Sequence, residues 1–145
     1  MGSSGPGIFE NDAAQGFLVS LQAARPTDVG DLISAALRRV AQAEQPLAIA
    51  DVQSALVALA LLLAEFDGDV LVGANDPTAV AAWFVDLEIE LTPSRRQLAG
   101  AALNRILLAQ DNEWATRWAG SEQGQQARST VKGLRDLLAD SAVQE

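Results

Sequence analysis

The chain has 145 residues, 49% of them hydrophobic and 20% charged, a balance that suits one globular domain with a core able to fold without disulfides or structural metal. It contains no histidine, cysteine or tyrosine, which excludes thiolate and Ser/His/Asp nucleophiles, Cys/His zinc sites and the Glu-x-x-His di-iron bundle. With 19 acidic residues against 10 basic ones, nine of them arginine, the formal net charge is −9; this opposes binding to nucleic-acid phosphates or anionic membranes, keeps an alanine-rich chain soluble and favours a basic protein partner.

The breakers fall at helix-sized intervals, and the periodicity predicts an all-α, single-domain irregular bundle of about six helices over residues 1–145. After a glycine-rich segment (residues 1–10), Asn11 or Asp12 caps a first helix, with Gln15 as a capping-box partner for Asp12. Phe17, Leu18 and Leu21 share one face, and Arg25-Pro26 ends it. Thr27 or Asp28 caps a second helix in which Leu32, Ile33, Ala36, Leu37 and Val40 point inward, while Arg38, Arg39, Gln42 and Glu44 point outward.

The third helix is predicted from Ile49 to Phe66, with Asp51, Gln53 and Ser54 confined to its first turns and an apolar surface all round thereafter; it is the expected central element. Its most apolar run, ALVALALLLA from Ala55 to Ala64, spans 10 residues, about half of the roughly 18–20 that cross a bilayer. No basic region followed by an apolar stretch opens the chain, so no secretory signal is expected and the expected location is cytoplasmic.

Asp67-Gly68-Asp69 stops the third helix, and Val70 to Val72 is too short to carry a sheet. Asp76-Pro77 starts a fourth segment, Thr78 to about Leu91, with Val80, Trp83, Phe84 and Leu87 on one face; VDLEIEL within it alternates as a strand would. Thr92 with Pro93 is a strong helix start, followed by Leu98, Ala101, Ala102, Arg105 and Leu108, with Leu103, Ile106 and Leu107 widening the apolar face. Asp111-Asn112 precedes a short helix, EWATRW, that places Trp114 and Trp118 four apart on one face. A last helix runs from about Glu122 to Ser141 with Val131, Leu134, Leu137 and Leu138 inward.

Few motifs carry chemistry. Gly2, Gly5 and Gly7 lack both a preceding strand and a following Lys-Ser or Lys-Thr, so they fail the tests for a phosphate loop and read as a backbone bend. Glu10 and Asp12, and Asp67, Asp69 and Asp76, are explained by caps and turns; Asp67-x-Asp69 lacks the glycine and distal glutamate of a calcium loop. No catalytic, cofactor or metal set is expected. Trp83 reads as core, whereas Trp114 and Trp118, beside Arg117, are candidate interface anchors.

The segment GSSGPGIFENDAAQGF resembles the opening of a bacterial family, domain of unknown function 4259, through Gly2, Gly5, Gly7, Phe9, Glu10, Asn11, Asp12, Ala14 and Phe17. DNEWATRW is similar to that family's late acidic-aromatic segment through Asp111, Asn112, Glu113 and Trp118. Ser4 stands where the family has tryptophan, Gly16 where it has aspartate, and Trp114 and Arg117 where it has leucines. The resemblance implies that the first residues belong to the fold, with Phe9 buried near the tryptophans of the late segment; it supplies no reaction. The small, acidic members of the family are similar in kind to immunity proteins of bacterial toxin systems.

These readings converge on a non-enzymatic, cytoplasmic protein-binding protein, an immunity protein that neutralises a basic toxin domain, with Trp114, Trp118, Glu113, Asp111, Glu10 and Asp12 as its partner-binding residues. Two alternatives stand beside it: a carboxylate-only metal-dependent hydrolase near Glu10, Asp12 and Glu113, and a structural homo-oligomer.

Overall fold

The structure is a computed structural model that describes residues 8–9, 11–43, 47–71, 74, 76–107 and 122–143. It is all-α: α1 (Asp12–Ala23), α2 (Pro26–Ala41), α3 (Ile49–Leu63), a single 3-10 turn (Gly68–Leu71), α4 (Pro77–Asp86), α5 (Pro93–Leu107) and α6 (Glu122–Val143), with no strand among the described residues.

The helix starts follow from local chemistry. At α1 the cap is Asn11, whose Oδ1 accepts from the Ala14 N–H at 2.7 Å while its Nδ2 donates to the Ile8 carbonyl at 3.3 Å. One buried side chain thus closes the helix end and fixes the chain that leads into it. Gln15 departs from the expected capping box: its Nε2 donates to the Phe9 carbonyl at 3.3 Å, because with Asn11 as cap it sits one position too late to reach back to the cap N–H. Both groups hold the Ile8-Phe9 pair against the core, where Phe9 is only 1% exposed. The expected burial of Phe9 is therefore observed; the tryptophans proposed as its neighbours, Trp114 and Trp118, and residues 1–7 lie outside the described residues.

α2 begins at Pro26 without a side-chain cap. Neither Thr27 nor Asp28 fills that role, since proline takes the first helical position and moves the cap to Arg25; Asp28 instead pairs with Arg25 at 3.2 Å. Val29 and Gly30 join Ile33, Ala36, Leu37 and Val40 on the buried face, while Leu32 stands 40% exposed. Arg38, Arg39 and Gln42 are exposed as expected, and Glu44 lies outside the described residues.

α3 occupies the centre, packing on α1, α2, α5, α6 and the 3-10 turn. Every residue from Ala55 to Leu63 is buried, and Gln53 joins them rather than facing water. Full burial of one leucine side chain stabilises by about 1.5–3 kcal/mol, so this run is the main reservoir of stability. It stops three residues short of Phe66, in a turn closed by Phe66 N–H to Leu63 carbonyl and Asp67 N–H to the same oxygen.

The remaining helices clamp α3. The Thr92 hydroxyl accepts from the Arg95 N–H at 3.2 Å, confirming the Thr92-Pro93 start of α5. The buried face of α5 is Ala99, Ala102, Leu103 and Ile106; Ala101 is exposed, Arg105 half-buried, and Leu108 lies outside the described residues. α6 turns Ala127, Val131, Leu134 and Leu138 inward. Arg96 Nη1 donates to the Leu138 carbonyl at 3.1 Å, tying α5 to α6.

Candidate functional site

α4 is the shortest of these helices and ends earlier than its sequence pattern predicts. Asp76 caps it, its Oδ1 accepting from the Ala79 N–H at 3.2 Å, and Pro77 takes the first helical position. The helix stops at Asp86, not near Leu91, because Glu88 adopts left-handed backbone at φ 54°, a conformation that ends helices and is usually left to glycine or asparagine. Trp83 is half-buried rather than core, its ring 5.9 Å from Phe84 and tilted by 57°. Residues 87–92, a turn at Leu87-Glu88 followed by irregular chain, then form a connector to α5.

Between the C-terminal turn of α3, α4 and this connector lies a groove of about 580 Å³. Leu61 and Leu62 of α3, Ala81 and Phe84 of α4, and Leu91 of the connector supply its apolar surface, and Val85, 67% exposed, forms its lip. Ala64 and Ile89, with the glutamates Glu65, Glu88 and Glu90, complete the lining. All three glutamates are exposed, and none enters an ion pair among the described residues.

The alternation of VDLEIEL survives as a pattern of exposure. Neither strand nor helix continues past Leu87, yet the period of two still turns the glutamates toward solvent while Leu91 is buried.

The opposite side of the connector faces a smaller cleft of about 320 Å³, lined in part by Gly30, Asp31, Thr92 and Arg95, and again by Glu88, Ile89 and Glu90. Here Arg95 holds the connector in place. Its Nη1 donates to the Glu90 carbonyl at 2.7 Å and its Nε to the Ser34 hydroxyl at 3.2 Å. The guanidinium lies over Gly30 so closely that a Cβ there would stand 2.6 Å from Nη2. Glycine at position 30 is thus what allows the arginine to cross α2.

Of the partner-binding residues expected from sequence, Asp12 is the described one. It is exposed in the first turn of α1, where a carboxylate suits the helix dipole, and it does not line the groove. Glu10, Asp111, Glu113, Trp114 and Trp118 lie outside the described residues. Sequence reasoning passed over Glu65, Glu88 and Glu90; the readable signal for the last two was the alternation after Val85. Among the described residues no three carboxylates are grouped so as to hold a metal ion, and no helix is long and apolar enough to cross a membrane.

Fold and groove together define a small all-helical protein with an apolar cleft edged by exposed glutamates. The chain belongs to the family described as domain of unknown function (DUF4259), whose profile matches residues 2–130. No curated protein and no solved structure matches it.

Proposed function

We propose that this chain is a non-enzymatic protein-binding protein that captures a basic partner, and that its biological role is that of a cytoplasmic immunity protein neutralising a bacterial toxin domain. The observation that carries this reading is how the opposite charges are used. Arg25 and Arg39 pair with Asp28 and Asp51 at the surface, and Arg95 and Arg96 donate to backbone carbonyls, so at least four of the ten basic residues have partners within the chain. Exposed carboxylates such as Asp31, Glu65, Asp86, Glu88 and Glu90 face solvent.

A surface of this kind raises the encounter rate with a basic protein and rejects acidic ones. It also suits inhibition, because a bound acidic protein covers the cationic surface that a toxin needs for an anionic substrate. Co-expression with the toxins encoded beside the gene tests the role: growth rescue and a stable complex are expected, and the absence of both sinks it.

A further inference from the structure

We infer that the groove between α3, α4 and the 87–92 connector is the docking site for a helical segment of a basic partner, one that presents large apolar side chains a turn apart and carries lysine or arginine on either side of them. This assignment rests on the protein-binding reading and names the surface and the binding element.

Three observations select that occupant. The first is the pairing of an apolar interior (Leu61, Ala81, Phe84) with exposed carboxylates (Glu65, Glu88, Glu90) that enter no ion pair among the described residues. An apolar ligand alone would leave those charges unanswered, and a purely cationic one would leave the interior wet. The second is the lip: Val85, 67% exposed, is a surface over which the aliphatic stem of a lysine or arginine can lie while its charged end reaches a glutamate.

The third is the make-up of the groove's walls, which are the end of α3 and its following turn, α4 and the irregular connector, and so offer no strand edge. Extended peptides gain affinity by adding to a sheet edge, whereas a helix satisfies its own backbone and needs only a groove for its apolar stripe. A second copy of this chain is a poor occupant, because two molecules of net charge −9 repel.

Fluorescence anisotropy on the full chain tests the assignment with a labelled leucine-lysine-alanine helix of about 14 residues whose leucines form one stripe. Its comparator is an isomer of identical composition with the leucines scattered around the helix. The striped peptide is expected to bind at least about tenfold more tightly than the scattered one. Glu65→Gln/Glu88→Gln/Glu90→Gln is expected to weaken it at least about tenfold, whereas Glu122→Gln/Asp136→Asn/Asp140→Asn, which removes equal charge from α6, changes it less than about threefold.

Ala81→Trp fills the groove and abolishes striped-peptide binding. Should that variant fail to fold, Val85→Lys on the exposed lip decides, with a loss of at least about threefold at an unchanged melting temperature. Equal binding of the two peptides, equal losses from the two triple substitutions, or no peptide binding at all overturns the groove assignment, whatever co-expression shows. Intact peptide binding without toxin rescue removes the immunity role and leaves the groove standing.

Discussion

α3 and α4 are both apolar in composition, yet the fold uses them in opposite ways. From Ala55 to Leu63 every side chain of α3 is enclosed by neighbouring helices. α4 buries only Val80 and Phe84 and leaves Val85 in solvent. A helix buried along its length meets another molecule only near its end, where Leu61 and Leu62 line the groove, whereas one anchored by two side chains keeps a flank free. The left-handed residues Asp76 and Glu88 bracket α4, and Glu88 lines the groove, a placement of strained backbone that is common at functional sites.

Breaking the comparison begins with its stable member. Leu59→Ala in α3 removes a fully buried side chain and is expected to destabilise by about 2–5 kcal/mol, measured by urea unfolding. An effect below about 1 kcal/mol would mean that α3 is not the packed centre. Asp76→Ala is next: it loses the cap bond to Ala79 and places alanine at φ 55°, for an expected loss of about 1–2 kcal/mol. Asp76→Gly, which relieves the backbone while losing the cap, should fall nearer to wild type.

Glu88→Gly reverses the sign. Releasing a non-glycine residue from left-handed backbone is expected to raise stability by about 0.5–1 kcal/mol while weakening peptide binding through loss of a groove carboxylate. Stability and binding rising together would break the link between strain and function.

The subtlest change is Gly30→Ala. A helix gains up to about 1 kcal/mol from this exchange, but the new Cβ displaces the Arg95 guanidinium from Ser34 and Glu90. Thermal melting is expected to move little, within about 0.5 kcal/mol, while amide hydrogen exchange across Glu88–Leu91 accelerates. Unchanged exchange would show that Arg95 does not hold the connector.

Local chemistry was legible in the sequence at several element starts and apolar runs, though not at the cap of α2, where Pro26 moves the cap from Thr27 or Asp28 to Arg25. Thr92-Pro93, the Asp76-Pro77 start and the unbroken apolar run of α3 are such cases, and so is the inward set Val131, Leu134 and Leu138. Errors arose where tertiary packing rotates a face: Leu32 gives way to Val29 and Gly30 because α5 lies over the start of α2, and Ala99 replaces Ala101 for the same interface.

The groove was harder to read because its parts are distant in sequence. Glu65 closes one helix and Glu88 and Glu90 follow another, and only the turn after α3 brings them to one cleft. The contact between Arg95 and Gly30 leaves no local trace, since a glycine within a helix ordinarily signals weakness, not a crossing point for another side chain.

The connector has a further consequence through its position. Glu88, Ile89 and Glu90 line the 580 Å³ groove on one side and the 320 Å³ cleft on the other, making them a party wall between two rooms. A substitution at any of the three therefore changes the lining of both. The arginine bonded to the Glu90 carbonyl ties that wall to the first turn of α5.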